Sequence, residues 1–250
     1  MTARADRRPD ARMGRTLRRT FERFAVAVFR FYAPLDVAAV EPLPPGPFLL
    51  CSNHASHLDS AVLMVASGLR FESFRLLAAA DYFDPQSTTG RLTRVVLNII
   101  AIDRASGHSP RLRRTIAECR ELIRTQQVRL IAFPEGTRST TGGLLPFRRG
   151  AAFLALELDL PVVPAYIDGS RRALPKGAWI PRPTPVHVRF GRAIRPADWA
   201  GLPAARARTD YVSRELERRV TELAGAAPPQ GCGRRPPTRG ATAGSCGSSS

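Results

Sequence analysis

Residues 48–59 read FLLCSNHASHLD, and the expected architecture follows from this segment outward. Its first five residues form an apolar run of the kind that buried strands show. Ser56 is then a suitable N-cap for a helix that continues to about Ser67 and is closed by Gly68. The segment therefore predicts a strand, a loop and a helix, with His54 in the loop.

The same alternation of strands and helices continues along the chain. Ser109 and Pro110 begin a helix, because proline at the first helical position has no hydrogen bond to lose. Further strands are predicted over residues 74–79, 99–102, 128–133, 161–167 and 186–190, and further helices over 149–158 and around 211–223. We expect an α/β fold with a central mixed, mostly parallel sheet flanked by helices.

An N-terminal amphipathic helix is predicted from Arg15 to Tyr32. Arginines project away from an apolar stripe that recurs at steps of three and four residues. The stripe consists of Leu17, Phe21, Phe24, Val28 and Phe31. Two interpretations remain open, and both can hold at once: the stripe packs on the core, or the helix lies in a lipid interface.

The composition fits one domain of ordinary size. A chain of 250 residues with 44% hydrophobic residues can build a sizeable core. We expect a basic tail and a membrane-surface helix over residues 1–35, one folded domain over 36–225, and a disordered tail over 226–250 that is rich in proline, glycine and serine. The formal charge of +17 comes almost wholly from arginine, and arginine attracts phosphates of nucleic acid, lipid or small substrates.

Cysteine usage and hydropathy indicate the compartment. The four cysteines form no CxxC pair and are too few for a disulfide scaffold, which fits a reducing cytoplasm. The N-terminus lacks the apolar core and cleavage site of a signal peptide, and no stretch approaches the roughly 20 apolar residues of a membrane span. We therefore expect peripheral attachment at the cytoplasmic face of a membrane.

His54 and Asp59 are the first candidate catalytic residues. A carboxylate bonded to one ring nitrogen fixes the imidazole tautomer and leaves the other nitrogen free as a base. Each residue also has an ordinary interpretation. Ser56 and Asp59 match a helix capping box, His54 can be a satisfied loop histidine, and His57 can be an ordinary exposed residue.

Residues 133–139, FPEGTRS, form the second candidate block and follow a predicted strand directly. Proline and glycine make a turn whose backbone amides can face a ligand, and Arg138 supplies a two-pronged donor for phosphate oxygens. Glu135 either positions a substrate hydroxyl or holds Arg138. A surface loop with a solvated arginine is the alternative. Arg104, directly after a strand, is another candidate phosphate arginine, with a solvated turn as its alternative.

Together these blocks resemble the glycerolipid acyltransferases, the family of 1-acylglycerol-3-phosphate acyltransferase. The resemblance rests on Asn-His-x4-Asp at residues 53–59 and on Phe-Pro-Glu-Gly-Thr-Arg-Ser at 133–139, and it extends over roughly 40–195 through LPFRRG at 145–150 and VVPA at 162–165. The segment LNIIAIDR at 97–104 departs from the family, because it lacks the glycine and the aromatic residue that usually precede the arginine.

The resemblance implies acyl transfer from acyl-CoA or acyl carrier protein to the hydroxyl of a lysophospholipid. It implies His54 as the base, Asp59 as its partner, and a substrate-binding set made of Arg104, Glu135, Gly136, Thr137 and Arg138. It implies no metal and no cofactor. The expected partners are the lysolipid acceptor, the acyl donor and an anionic membrane surface, without nucleic acid.

Two rival functions remain. A basic nucleic-acid-binding protein fits the charge and the arginine-rich ends, but the chain has no helix-turn-helix signature, zinc spacing or strand with interleaved aromatic and basic residues. A serine hydrolase fits Ser52, Ser56 and Ser60 beside His54, but no GxSxG elbow occurs.

Overall fold

Seven strands form one sheet in the part of the chain that the structure describes. The computed structural model describes residues 8–79, 88–102, 109–175, 177–178 and 180–226. The strands are β1 (Leu35–Ala39), β2 (Leu49–Ser52), β3 (Phe74–Ala79), β4 (Ile99–Ile102), β5 (Arg129–Ala132), β6 (Val162–Asp168) and β7 (Val186–Phe190). Their order is β1-β7-β6-β2-β5-β3-β4, and only β6 and β7 are antiparallel neighbours. The predicted mixed, mostly parallel sheet is confirmed.

Helices cover both faces of this sheet. They are α1 (Arg8–Phe31), α2 (Asp59–Ala66), α3 (Thr88–Val96), α4 (Pro110–Gln126), α5 (Gly150–Leu158), α6 (Ser170–Ala173), α7 (Pro196–Ala200) and α8 (Ala205–Gly225), with a 3-10 turn at Phe71–Ser73. Apolar residues of α1 and α2 pack on one face, and those of α4, α5 and α8 pack on the other. The predicted tail over 226–250 lies outside the described residues, apart from Ala226.

Local signals account for the start of α4. The Ser109 hydroxyl accepts a hydrogen bond from the Leu112 amide at 3.1 Å, and Pro110 occupies the first helical turn. Leu112, Ile116 and Cys119 are buried on one face, as the periodicity predicts. This helix therefore begins where its capping residue and its proline place it.

Helix α2 begins later than the sequence predicts. Ser56 is not its N-cap, because the helix starts at Asp59 after Leu58. The carboxylate of Asp59 accepts hydrogen bonds from the backbone amides of Ala55 and Ser56 at 2.7 and 2.8 Å. These bonds hold the chain reversal together, so the first helical turn forms beyond it.

Helix α1 divides its apolar residues between the core and the surface. Ala25 and Phe29 are buried, and the ring of Phe21 packs edge-on against Phe71 at 6.0 Å between centroids. Phe24 and Phe31, from the predicted stripe, are 63% and 79% exposed. Within the described residues, no helix has both the length and the apolar character needed to span a bilayer.

Candidate active site

The candidate residues meet at the carboxyl edge of the sheet. β2 lies between β5 and β6 and runs parallel to both, so the segments that follow these strands emerge side by side. His54 follows β2 and Glu135 follows β5. Ligand sites of open α/β sheets lie at this edge.

Asp59 holds His54 in a defined orientation. The Asp59 Oδ2 atom lies 2.8 Å from Nδ1 of His54, and it is the same oxygen that accepts from the amides of Ala55 and Ser56. The Asp59 side chain is 1% exposed. One carboxylate oxygen therefore both satisfies the loop amides and holds the imidazole, so the two interpretations of this residue hold together.

The imidazole of His54 is fixed but accessible. Its ring stacks on Phe133 at 4.0 Å between centroids and 13° between planes, while the side chain remains 17% exposed. Because the carboxylate accepts at Nδ1, the proton of the neutral ring lies there, and Nε2 is the basic atom. The arrangement can accept a proton from a bound hydroxyl.

Asn53 anchors the His54 loop and was missed as a site residue. Its side-chain amide donates to the carbonyl of Ile167 at 2.9 Å, and its side-chain oxygen accepts from the amide of Ile167 at 2.8 Å. The hydroxyl of Ser56 donates to the carbonyl of Leu174 at 2.9 Å. All three hydrogen bonds join residues more than 110 positions apart, so the only sequence signal for this role was the asparagine beside the histidine.

The turn at residues 133–139 is attached to the His54 loop. The Gly136 amide donates to the Phe133 carbonyl at 3.0 Å, and the Ser139 amide donates to the His54 carbonyl at 2.7 Å. Gly136 has φ +70°, and a Cβ there would press on the Arg148 side chain at 3.1 Å. The turn therefore requires glycine, and it places residues 136–138 next to His54 in space.

Glu135 is buried against the backbone of His54. Its Oε1 accepts from the His54 amide at 3.1 Å, and the residue is 2% exposed. Burial raises the pKa of Glu135 to about 7, against the opposing effect of the His54 and Leu145 backbone donors, and the charge of Asp59 adds to the rise. The observed contact adds a third interaction to the two predicted roles, because Glu135 holds the backbone of the His54 loop.

Arg138 acts electrostatically on the same loop. Although His57 is exposed as a whole, partial desolvation of its ring, and next the Arg138 guanidinium, lower the pKa of His57, so the charge of Arg138 acts close to His54. Arg138 is half-buried, and Thr137 and His57 are exposed. The structure thus brings the predicted residues of the second block to the His54 loop.

Arg104 lies outside the described residues, so its predicted place in the site stays a prediction.

A small cavity of about 170 Å³ adjoins the site at Ala55. Arg171 and Arg172 line it from α6, and Nε of Arg171 donates to the Thr140 carbonyl at 3.0 Å. The sequence did not single out these two arginines as candidates, although they follow the same pattern as the second block, which is a strand, then a turn with glycine, then arginine. Gly169 has φ +87°, and a Cβ there would overlap the Pro185 carbonyl oxygen.

Comparison with known families agrees with this geometry. A family model described as acyltransferase matches residues 35–168, which is more than half of the chain. The matched region contains both blocks, from β1 to the end of β6.

Several curated proteins are similar to parts of the chain. The 1-acyl-sn-glycerol-3-phosphate acyltransferase of Limnanthes douglasii is 41% identical over 85 residues, which cover 34% of this chain and 30% of that protein. The alpha form from Homo sapiens is 33% identical over 137 residues, covering 54% and 45% respectively. The match spans less than half the length of either relative.

A solved structure shares the fold. The crystal structure of the 1-acyl-sn-glycerophosphate acyltransferase from Thermotoga maritima superposes with a TM-score of 0.60 at 23% sequence identity. The match covers 89% of this chain and 86% of that one.

Proposed function

The chain belongs to the acyltransferase family, and from that premise we propose that it transfers a fatty acyl group from acyl-CoA or acyl carrier protein to the hydroxyl of a lysophospholipid. The proposed acceptor is 1-acylglycerol-3-phosphate, in keeping with the names of the relatives. The observation that carries the proposal is the 2.8 Å contact between His54 Nδ1 and Asp59 Oδ2 at the carboxyl edge of the sheet.

In the proposed mechanism His54 is a general base. Nε2 takes the proton of the acceptor hydroxyl while its oxygen attacks the thioester carbonyl. The tetrahedral intermediate collapses, the carbon–sulfur bond breaks, and the imidazolium returns the proton to the departing thiolate. Asp59 keeps the tautomer and stabilises the imidazolium. The reaction as proposed uses no metal and no prosthetic group, since the donor is a substrate.

The acceptor is proposed to bind through its phosphate. Arg138 offers a planar pair of donors to phosphate oxygens, and the turn at Gly136 and Thr137 offers backbone and hydroxyl groups beside it. Glu135 supports the site by accepting a hydrogen bond from the His54 amide. Arg104 is proposed as a further phosphate ligand from sequence resemblance alone.

A substrate panel tests this proposal. Purified protein is incubated with labelled acyl-CoA or acyl carrier protein and a set of lysolipids, and the products are identified by mass. We expect the fastest transfer to 1-acylglycerol-3-phosphate. Faster transfer to another lysolipid would change the acceptor, and no transfer to any lysolipid from either donor would refute the proposed activity.

We further propose that α1 attaches the enzyme peripherally to an anionic membrane on its cytoplasmic face. Phe24 and Phe31 are exposed, and arginines such as Arg23 and Arg30 are exposed on the same helix. Such a helix can bury its aromatic residues among acyl chains while its arginines contact lipid phosphates.

Point variants test this attachment better than deleting the helix, because Ala25 and Phe29 of α1 belong to the core. Phe24→Ser with Phe31→Ser should reduce binding to phosphatidylglycerol vesicles by about a hundredfold or more, given about 1.5–3 kcal/mol for each of the two buried side chains. Val40→Ser, at a position 71% exposed beyond β1, is the control. Equal binding of both variants would place the membrane contact elsewhere.

A further inference from the structure

A large groove lies at the amino edge of the sheet, across the sheet from His54. Its volume is about 810 Å³, within the range of roughly 300–1,000 Å³ that ligand pockets show. Its walls come from α1, the start of β3 and the start of β5, and from the residues just before them. None of the residues that line it belongs to the proposed acyl-transfer site.

Arginine dominates the lining of this groove. The lining contains six arginines and, among the described residues, a single carboxylate, Glu72. The arginines are Arg15, Arg18, Arg19, Arg70, Arg75 and Arg129. Glu72 contacts Arg70 at 3.0 Å and Arg19 at 3.8 Å. One negative charge thus faces six positive charges, and the groove carries an excess of five.

The inner guanidinium groups are held in place by neutral acceptors. Arg75 donates to the carbonyls of Glu72 and Phe74 at 2.9 and 2.8 Å and to the side chain of Gln126 at 2.8 Å. Arg18 donates to the carbonyl of Val95 at 2.9 Å. Carbonyl partners fix the position of a guanidinium without neutralising its charge, so these groups are oriented in advance for an anion.

Arg129 is also held by a neutral acceptor. It donates to the carbonyl of Pro45 at 3.1 Å, its guanidinium lies over the ring of Phe48 at 5.6 Å, and its buried Nε has no hydrogen-bond partner. Burial lowers the pKa of Arg18, Arg75 and Arg129. A bound anion would offset this cost of burying positive charge.

We propose that the groove is a second anion site, which binds a phosphate-bearing ligand independently of acyl transfer. Phosphate matches the planar fork of arginine, and six arginines exceed what one phosphate group needs. Two sources supply this chemistry: a free polyphosphate, or the head group of an anionic phospholipid presented beside α1. Exposed Val95 of α3 contacts the groove wall at Arg18, and Leu92 of the same helix is also exposed; these apolar side chains favour the lipid source.

Calorimetric titration of the full chain with two soluble probes tests the site. The probes are inorganic pyrophosphate and dihexanoylphosphatidylglycerol, with dihexanoylphosphatidylcholine as the control lipid. Binding of pyrophosphate alone identifies a free polyphosphate as the source, and binding of the phosphatidylglycerol identifies a lipid head group. If the protein binds neither probe, the site does not exist.

Paired variants locate the binding. Arg75→Gln with Arg129→Gln removes two inner charges, and Arg15→Gln with Arg19→Gln removes two exposed ones, so the second pair decides the question should the first fail to fold. Each pair should weaken binding at least about tenfold, because each loses charge-assisted hydrogen bonds. Arg206→Gln with Arg214→Gln removes two exposed charges of α8, which belong to neither site, and should bind within about twofold of the unaltered protein. Equal losses in all three pairs, or in none, would overturn the proposal.

Discussion

The two edges of the sheet differ in how their charged side chains are paired. At the carboxyl edge Asp59 and Glu135 each accept from a specific donor of the His54 loop, whereas the described lining of the amino-edge groove has six arginines and one carboxylate. The hydrogen bonds at the carboxyl edge hold the His54 side chain and its loop in one orientation, and the excess arginines at the amino edge create a positive potential. Under the two proposals made above, the carboxyl edge positions one proton acceptor and the amino edge attracts anions.

Of the changes at the carboxyl edge, removal of the His54 imidazole should lower the rate of acyl transfer most. We expect His54→Ala to lower the rate of acyl transfer by about 10²–10⁴-fold, the usual contribution of a general base. The fold should persist, because the imidazole is partly exposed and its loop is held by Asn53 and Asp59. Initial rates with acyl-CoA and 1-acylglycerol-3-phosphate, together with thermal unfolding, measure both effects.

His187 supplies a matched control for that variant. It contacts Asp36 through Nδ1 at 3.3 Å, so it is also a histidine beside an aspartate, but it lies in β7 paired with β1. We expect His187→Ala to keep the unaltered rate. If both histidine variants lose activity equally, the loss reflects the fold and gives no support to a base at position 54.

The variant Glu135→Gln tests whether ionisation of a buried carboxylate at this edge lowers the free energy of unfolding. The rise of its pKa from 4.5 to about 7 corresponds to a contribution of about 3 kcal/mol to the free energy of unfolding. Because the folded-state pKa is raised, this contribution is fully present below pH 4.5 and is lost as the pH rises through about 7. Glu135→Gln keeps an acceptor for the His54 amide but cannot ionise, so its unfolding free energy should lack this decline.

Denaturant unfolding between pH 4 and 8 measures that difference. Glu157→Gln changes an exposed glutamate on α5 and should keep the slope of the unaltered protein. Parallel curves for all three proteins would mean that folding does not raise the pKa of Glu135.

The sequence predicted the parts of the fold that local signals specify. β3 and β7 have the predicted bounds, since each is a short run of strand-forming residues between turn signals. β1 and α3 were missed. β1 has mixed polarity and gains its identity from pairing with β7, and α3 begins with Thr88, Thr89 and Gly90, which favour a helix weakly.

The candidate site was predictable to the extent that its contacts are local. His54 and Asp59 are five residues apart, so their spacing alone indicated the contact. The bond from Glu135 to the His54 amide spans 81 residues and requires β2 and β5 to be neighbours. The amino-edge groove was not predictable, because its arginines come from separate segments that only the sheet brings together.

Arg138 tests whether the carboxyl edge also binds an anion. Arg138→Gln should raise the KM for 1-acylglycerol-3-phosphate by about tenfold or more and change kcat less, because a charge-assisted hydrogen bond to phosphate contributes about 1.5–3 kcal/mol. A monoacylglycerol acceptor, which has no phosphate, provides the control and should respond equally in both proteins. An unchanged KM for the phosphorylated acceptor would assign its phosphate to other residues.

The smallest expected effect concerns repulsion at the amino edge. Since Arg15 and Arg19 face a groove with excess positive charge, Arg15→Gln with Arg19→Gln should stabilise the fold at low ionic strength by less than about 1 kcal/mol. The gain should disappear in high salt, where charges more than about 3 Å apart are screened. Thermal unfolding across a sodium chloride series measures it, with Arg206→Gln and Arg214→Gln as the pair of equal charge change. A gain that does not depend on salt would contradict electrostatic repulsion, and the contrast between the two edges would then rest on the carboxyl edge alone.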